Sequence, residues 1–490
     1  MRRVVVKVGQ RVRTWSVAVA LAGAVVACVA PSEPPGGGGT TSTTAPTATS
    51  TAPTTTTTQV PTPSTTDTTA APPTTLVTEP PDPPAGGAFS EGISISEEGY
   101  DSSMPDVAFG RQGNALVTWV RTSHDYPYRY QLEARFRSHD ATWGPIIVVS
   151  AEGAPRNPTA ALDDDGDAVL VWNGSGTDVR AFARRVSSTG ALGPLQVLSE
   201  AGTQAHGTSV AVDSDGDAIL TWAEYQSDGS TIPKMRRFTK DGMLAPALVL
   251  SSSPSRAETP AVAFDRDGDA ILAWANDHVV QARTLTASGT LGELQTVTGD
   301  VSRIDRQGLV RLTIDRDGDA LVTWRHNVAA DGSDQVWGRW LSRDGALGAL
   351  RQLSSASHPD VQNHSVAGDL DGNVILTWNR FPSGELYARE ISPAGVVGEP
   401  VLLSSYAVTN WVHLDDDGDG VVVWHGEGVD GTAASVRALR VTRAGGFEDP
   451  EAVAPAGKYP VAAVSPDGDA IIAWERRFQV DLRIQVSVAT

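Results

Sequence analysis

An eightfold internal repeat constrains the fold of this chain more strongly than any other feature of its sequence. Each copy joins a short apolar run, a turn rich in aspartate and glycine, a second apolar run and a tryptophan, as residues 262–274 illustrate. A repeat of about fifty residues with four strand-like segments is typical of the blades of a β-propeller. The copies are marked by Trp119, Trp172, Trp222, Trp274, Trp324, Trp378, Trp424 and Trp474.

Each aspartate-rich turn is predicted to close a β-hairpin. In the fourth copy, Gly268 is expected to take the positive φ angle that follows a type I turn. The tryptophan recurs in every copy, so we expect it to pack between neighbouring sheets. Residues 92–96 resemble a fourth strand, whereas the last copy ends after three strands. We therefore predict an all-β, eight-bladed β-propeller over residues 89–490, with the N-terminal strand completing the last blade.

Residues 1–28 have the features of a secretion signal. Five basic residues precede an apolar run, residues 16–27, that is too short to span a bilayer as a permanent helix. The run ends in Val25-Val26-Ala27-Cys28, which resembles the lipobox of bacterial lipoproteins. The resemblance implies that Cys28 is lipidated and becomes the mature N-terminus. The alternative is an ordinary secretion signal with an incidental cysteine.

Residues 29–88 consist almost entirely of Thr, Pro, Ser, Ala and Gly. Such a segment cannot bury enough apolar surface to offset the entropy of ordering, so we expect a disordered, extended linker. The chain is thus predicted to comprise a signal segment (1–28), a linker (29–88) and a propeller (89–490). Its formal net charge is −20. An acidic protein repels polynucleotides, which argues against nucleic acid as a partner.

The aspartates of the turns are candidate ligands of Ca²⁺. Residues 415–420 resemble the calcium loops of integrin-α-type (FG-GAP) propeller repeats, in which oxygens at alternate positions surround the ion. The resemblance covers only these short loops, and the family's last carboxylate is replaced here, for example by Val423. The alternative, which we favour, is that each aspartate caps its own turn. The candidate ligands are Asp163, Asp165, Asp167, Asp213, Asp215, Asp217, Asp265, Asp267, Asp269, Asp315, Asp317, Asp319, Asp415, Asp417 and Asp419.

Broken symmetry among the copies points to a ligand site. Eleven residues before the tryptophan, six copies carry alanine and the fifth and seventh do not. The same two copies carry an arginine and a tryptophan thirteen residues before the marker, and the sixth copy carries Asn and His nearby. We predict a site for an anionic or glycan-like ligand on the face opposite the aspartate turns. The alternative is locally adjusted packing between blades. The predicted site residues are Arg311, Thr313, Asn363, His364, Trp411 and His413.

The sequence contains no recognisable catalytic motif: no nucleophile elbow, no His-Glu-x-x-His and no phosphate-binding glycine loop. We therefore expect a membrane-anchored, extracytoplasmic binding or scaffold protein that displays its propeller to a glycan or protein ligand. One alternative is a propeller-type hydrolase or lyase acting on envelope or environmental glycans, and another is a calcium-stabilised structural envelope protein. Apart from Ca²⁺, no cofactor is expected. The identity of the ligand, the type of envelope and the oligomeric state stay open.

Overall fold

The computed structural model describes residues 89–489, except 151–153, 176–178, 253–256, 300–308, 328–332, 356, 358–359, 427–433 and 444–445. The predicted signal segment, Cys28 and the linker lie outside the described residues. Within those residues there is no helix long and apolar enough to span a bilayer.

The described residues form 33 β-strands. In chain order the strands are β1 (Ile93–Ser94), β2 (Asp101–Phe109), β3 (Ala115–Thr122), β4 (Tyr130–Arg137), β5 (Ile147–Ser150), β6 (Arg156–Leu162), β7 (Ala168–Asn173), β8 (Ala181–Val186), β9 (Gln196–Val197), β10 (Ala205–Val212), β11 (Ala218–Tyr225), β12 (Thr231–Phe238), β13 (Leu248–Val249), β14 (Ala257–Phe264), β15 (Ala270–Asn276), β16 (Val279–Leu285), β17 (Gln295–Thr296), β18 (Arg311–Ile314), β19 (Ala320–Asn327), β20 (Asp334–Leu341), β21 (Arg351–Gln352), β22 (Val361–Gly368), β23 (Val374–Arg380), β24 (Leu386–Ile391), β25 (Val401–Ser404), β26 (Thr409–Leu414), β27 (Gly420–Gly426), β28 (Ser435–Thr442), β29 (Gly446–Phe447), β30 (Glu451–Ala454), β31 (Lys458–Val464), β32 (Ala470–Arg477) and β33 (Leu482–Ala489).

These strands form eight antiparallel sheets, one for each copy of the repeat. Blades 1 to 7 are meanders of consecutive strands, from β2–β5 in blade 1 to β26–β30 in blade 7, where the short β29 is an addition. The first strand of each blade contacts the first strands of both neighbouring blades, and β31 of blade 8 contacts β2 of blade 1. The first strands therefore surround the axis of a closed ring, and the predicted eight-bladed β-propeller is confirmed.

Blade 8 is closed by the N-terminal strand, as the sequence predicts. Its sheet has the order β1–β33–β32–β31, so that β1 is the outermost strand. Ile93 pairs with Val486 in an antiparallel ladder, and the Ile484 N–H donates to Ser96 Oγ over 2.9 Å. Ile95 is 1% exposed and joins the apolar cluster between blades 8 and 1. The edge of β33 is therefore paired rather than exposed.

The repeat tryptophans form the core between the blades. All eight lie on the second strand of a blade, and each is at most 1% exposed. Trp274 of blade 4, for example, packs against Ile219 and Met235 of blade 3. The residue four positions before the tryptophan is alanine or glycine in seven blades and Val374 in blade 6. In blade 7 it is Gly420, where a Cβ atom would lie 2.2 Å from the carbonyl oxygen of His413.

Candidate functional site

The two faces of the propeller carry different side chains. One face, the Asp-turn face, consists of the hairpins between first and second strands and the turns between third and fourth strands. The opposite face consists of the loops between second and third strands and the loops that join successive blades. We call it the aromatic face, because it carries every exposed aromatic side chain of the described residues. These side chains are Tyr126, Tyr128, Tyr225, Phe381 and Tyr406.

The hairpins of the Asp-turn face are held by their own first aspartate. In blade 4, the backbone N–H groups of Asp267 and Asp269 both donate to Asp265 Oδ1 over 2.9 Å. Gly268 has a φ of 79°, the left-handed angle that the turn type predicts. The carboxylate therefore takes up backbone donors that the tight turn leaves free. Blades 2, 5 and 7 repeat both bonds at Asp163, Asp315 and Asp415.

The last aspartate of each hairpin also has a structural partner. Asp269 Oδ1 accepts the backbone N–H of Ala287, in the turn between the third and fourth strands, over 2.7 Å. This carboxylate therefore joins the two turns of one blade. The same bond occurs in blades 2, 3, 5 and 7, where the acceptors are Asp167, Asp217, Asp319 and Asp419.

The second oxygen of the first aspartate lies against the next blade. A Cβ atom on Gly216 of blade 3 would lie 2.6 Å from Asp163 Oδ2, and a Cβ atom on Gly318 would lie equally close to Asp265 Oδ2. Both of these oxygens are buried and lack a hydrogen-bond partner among the described residues. Burial is the main reason that the pKa of each first aspartate is raised. The aspartates concerned are Asp163, Asp213, Asp265, Asp315 and Asp415.

Basic side chains of blades 3, 5 and 7 cover the hairpins of the preceding blades. Arg343 of blade 5 contacts two carboxylates of blade 4, with its Nη1 2.7 Å from Asp267 Oδ2 and its Nη2 2.6 Å from Asp269 Oδ2. Lys240 and Arg443 take the same place in blades 3 and 7. Blades 2, 4 and 6 have uncharged residues at this position. The propeller therefore alternates between two kinds of blade junction.

The aspartates predicted as calcium ligands are engaged by the protein itself. The first and last carboxylates of a hairpin accept backbone N–H groups, whereas the middle one, such as Asp165 or Asp267, is exposed. Among the described residues, no three Asp, Glu, His or Cys side chains are arranged so that they could hold a metal ion. This geometry agrees with capping of the turns, and calcium binding stays a prediction.

An axial channel runs between the first strands. In blades 1 to 7, the residue eleven positions before the tryptophan is partly accessible, although it lies at the centre of the molecule. Most of these residues are alanines. Small, partly accessible side chains at the axis indicate open space there. The side chains thirteen and eleven positions before the tryptophan therefore line the channel.

Salt bridges between distant blades close this channel at the Asp-turn face. Arg266 Nη2 of blade 4 lies 2.8 Å from Asp416 Oδ2 of blade 7, and Arg111 Nη1 of blade 1 lies 3.5 Å from the same oxygen. All three residues occupy the second position of their turn. Blades 1, 4 and 7 are not adjacent, so their turns can meet only at the axis. We call these three side chains the axial plug.

Two of the predicted site residues hold the first strand of blade 8. Trp411 Nε1 donates to the carbonyl oxygen of Ala462 over 2.9 Å, and His413 Nδ1 accepts the backbone N–H of Val464 over 3.3 Å. Both bonds satisfy the free edge of β31, which has no further strand beside it. Burial lowers the pKa of His413 to about 4. Trp411 and His413 thus have a structural role at the junction of blades 7 and 8.

Three of the other four predicted site residues lie at the junction of blades 5 and 6. Arg311 begins β18, with Thr313 on the same side of the strand. The ring of His364 is 1% exposed, and its Nε2 lies 3.1 Å from Thr323 Oγ1 of blade 5. Burial, aided by nearby arginine charges, holds the pKa of His364 well below its usual range. Asn363 is half-buried in β22. Five of the six predicted residues therefore form two groups, one at each of two blade junctions.

A second break in symmetry lies fourteen residues before the tryptophan. Four blades carry proline there, whereas blade 6 carries His364 and blade 7 carries Asn410. Asn410 accepts a hydrogen bond from the Thr377 hydroxyl over 2.8 Å and donates one to Asn379 Oδ1 over 3.1 Å. Buried polar contacts therefore link blades 5, 6 and 7. The sequence signal for these contacts is the absence of proline at this position in the sixth and seventh copies.

Two carboxyl groups, one at each junction of blade 1 with a neighbouring blade, have a raised pKa. Burial raises the pKa of Asp106 to about 7 and that of Glu475 to about 7. Asp106 Oδ2 accepts the backbone N–H of Ala160 over 2.9 Å, and Glu475 Oε1 accepts that of Met104 over 2.9 Å. A carboxyl group that keeps its proton near neutral pH can act as a general acid.

No family model matches the sequence, and no curated protein matches it. Several solved structures are similar in fold. A GH93 alpha-L-arabinofuranosidase of Fusarium graminearum is 12% identical, with a TM-score of 0.42 over 74% of this chain and 99% of that chain. The BP39L lectin of Burkholderia pseudomallei is 10% identical, with a TM-score of 0.48 over 72% of this chain and 100% of that chain. A prolyl endopeptidase is 12% identical, with a TM-score of 0.48 over 77% of this chain and 55% of that chain.

Proposed function

We propose that this chain is a binding protein whose aromatic face takes a glycan ligand. The observation that carries the proposal is the distribution of exposed rings: all five in the described residues lie on one of the two faces. Large apolar side chains that gather on one side of a protein mark an interaction surface. Aromatic rings also present flat apolar faces beside polar groups, which suits a sugar ring that is apolar on one side and hydroxylated at its rim.

The rings occupy three separate positions around the face. Tyr126 and Tyr128 form an edge-to-face pair in blade 1, with ring centroids 6.1 Å apart. Tyr225 lies in blade 3, and Phe381 and Tyr406 lie in blade 6 and the loop that follows it. Separated rings can each stack on one unit of an extended glycan. A protein partner would instead require one continuous patch with an apolar centre.

A binding assay with insoluble polysaccharides tests this proposal. The full chain is mixed with peptidoglycan, cellulose or chitin, and the sedimented fraction is measured. The variants Tyr126→Ser/Tyr128→Ser and Phe381→Ser should weaken binding about tenfold, since a lost stacking contact costs roughly 1.4 kcal/mol. Met243→Ser is the matched control, because Met243 is 68% exposed on the Asp-turn face. Undiminished binding by the aromatic variants, or equal loss in the control, contradicts the proposal.

The proposal includes an extracytoplasmic location with a lipid anchor at Cys28. It is supported by the signal-like residues 1–28 and by the linker composition of residues 29–88. Cys28→Ser is expected to move the protein from the membrane fraction to the soluble fraction. Unchanged fractionation would contradict the anchor and leave the glycan-binding proposal intact.

The second candidate function is hydrolysis of a glycan, and the acidity of Asp106 and Glu475 favours it. Glycosidases use a carboxyl group with a raised pKa to protonate the leaving oxygen. In the same assay, release of reducing ends by the wild type and its loss in Asp106→Asn would support hydrolysis. Binding of the polysaccharide without release of reducing ends supports the binding function.

A further inference from the structure

Arg311 differs from Trp411 and His413, the other predicted site residues that line the axial channel, because the next blade does not satisfy it. Trp411 and His413 each bond to the first strand of the following blade. Arg311 Nη1 instead lies 3.5 Å from the carbonyl oxygen of Val310, at the limit of a hydrogen bond. Its Nε is buried without a partner, and no carboxylate pairs with the guanidinium group within the described residues. Burial lowers the pKa of Arg311 to about 10.

Small side chains line the channel in the two blades that flank Arg311. At the positions thirteen and eleven residues before the tryptophan, blade 4 carries Ala261 and Ala263, and blade 6 carries Ser365 and Ala367. The three alanines are partly accessible. The described side chains of blades 4 and 6 at these two positions are therefore too small to fill the channel beside Arg311.

A second polar group without a partner lies next to Arg311. His364 Nδ1 is buried and has no hydrogen-bond partner within the described part of the chain. The ring is neutral near pH 7, since its pKa is held well below the usual range by burial and by arginine charges. The Thr323 hydroxyl lies 3.1 Å from His364 Nε2 and 3.4 Å from the carbonyl oxygen of Arg311. In the tautomer that uses the shorter contact, Nε2 accepts the hydroxyl hydrogen, so Nδ1 carries a hydrogen and is a buried donor without an acceptor in the described residues. An anion beside Arg311 would supply that acceptor.

We propose that Arg311 and His364, with Thr313 beside them, bind a carboxylate monoanion in the axial channel. The planar guanidinium group presents parallel N–H groups that match the two oxygens of a carboxylate. One uncompensated cation balances one negative charge. A phosphate dianion would leave excess negative charge in a channel that also contains Asp106.

Among the described residues, the axial plug lies across only one end of the channel. The axial plug closes the channel at the Asp-turn face, and Arg311 lies at the opposite end, where β18 begins. A ligand therefore enters from the aromatic face. The site goes beyond the proposed glycan surface, because it lies in the channel and uses none of the exposed rings. A small carboxylic acid, such as a sugar acid, has the single negative charge that Arg311 would balance and is small enough to enter the channel.

Calorimetric titration of the full chain with D-glucuronate tests this inference, with D-glucose as the uncharged counterpart. The wild type is expected to bind glucuronate and not glucose. Arg311→Gln should weaken glucuronate binding at least tenfold. Without ligand, the same variant should melt at a higher temperature than the wild type, because the substitution removes an uncompensated charge. Arg351→Gln is the matched control, since Arg351 is exposed on the rim strand β21 of the same blade.

Four results would overturn the inference. They are failure of the wild type to bind glucuronate, equal binding of glucose, full glucuronate binding by Arg311→Gln, and a lowered melting temperature of Arg311→Gln without ligand. The last result would show that Arg311 already has a structural partner. The polysaccharide assay varies different residues, so failure of the glycan proposal and failure of this one can be told apart.

Discussion

Trp411 shows how a residue that breaks the repeat can serve the fold. Comparison of the copies singles it out, because the other copies have different residues at its position. Its indole N–H nevertheless bonds to Ala462 of the next blade. The sequence identifies Trp411 as an exception but does not reveal this contact. Which residues of two neighbouring blades lie side by side is set by closure of the ring. For the same reason, Arg311 could be predicted as unusual but not as the residue that the next blade leaves unsatisfied.

The acidity of Asp106 predicts a pH-dependent contribution to stability. Its pKa is about 7 in the folded protein and near 3.8 in the unfolded chain, so the folded state binds more protons between these values. Stability is therefore lost as the pH rises from about 4 to 7. Asp106→Asn lacks this titration. Relative to the wild type, we expect it to gain on the order of 2 kcal/mol between pH 4 and pH 8, less than the full shift implies because solvent partly reaches Asp106.

Thermal unfolding of both proteins across this pH range checks the expectation. The difference between their melting temperatures should change in favour of Asp106→Asn as the pH rises, since the other titrating groups are common to both. A difference that is constant with pH would show that the carboxyl group is ionised throughout.

At the scale of the element, the Asp-turn hairpin could be predicted in most of its detail. The left-handed Gly268 and the capping role of Asp265 both follow from a local pattern of five residues. The contact between Asp269 and Ala287 was not predictable in this way, because its partner lies in another turn of the same blade. The salt bridges from Arg343 also required the structure, since they join two blades.

The first aspartate is expected to stabilise its hairpin through Oδ1. Asp265→Ala removes the acceptor of two backbone N–H groups and should lower the free energy of unfolding by about 1–2 kcal/mol. Asp265→Asn keeps an oxygen at this position and removes a buried charge, so it should cost much less. Denaturant unfolding of the two variants measures the difference. Equal losses would contradict the capping role.

Addition of calcium provides a separate check on the same hairpins. If the carboxylates act as caps, the melting temperature of the wild type should not change with calcium. A bound ion would instead stabilise the protein by about 2.7 kcal/mol at a hundredfold excess over its dissociation constant. A melting temperature that rises with calcium would therefore restore the metal-binding interpretation.

At the scale of the whole molecule, the number of blades and the closing strand could both be predicted from the repeat. The axial plug could not, because Arg266 and Asp416 belong to blades that are neither consecutive nor adjacent. Only the diameter of the closed ring brings them together. The exposed rings of the aromatic face were missed for a different reason: they lie in loops that differ from copy to copy, so the repeat carries no signal for them.

Loss of the closing strand should destabilise the propeller far more than loss of the segment before it. Deletion of residues 1–96 removes β1 and the buried Ile95, and it exposes the edge of β33. We expect a loss of at least about 3 kcal/mol and self-association through the free edge. Deletion of residues 1–88 serves as the control and should leave the melting temperature unchanged. Calorimetry and size-exclusion chromatography make the comparison, and similar behaviour of the two deletions would contradict a closing role for β1.

The position of β1 also dictates an order of events during synthesis. The hydrogen bond between Ser96 and Ile484 joins residues 388 positions apart, so β1 must wait until β33 has been synthesised. Blades 1 to 7 are each made of consecutive residues and can fold as they emerge. Blade 8 can only be completed after β33 has been synthesised. Until then the nascent ring is open, and the apolar flanks of blades 1 and 7 face solvent or a chaperone.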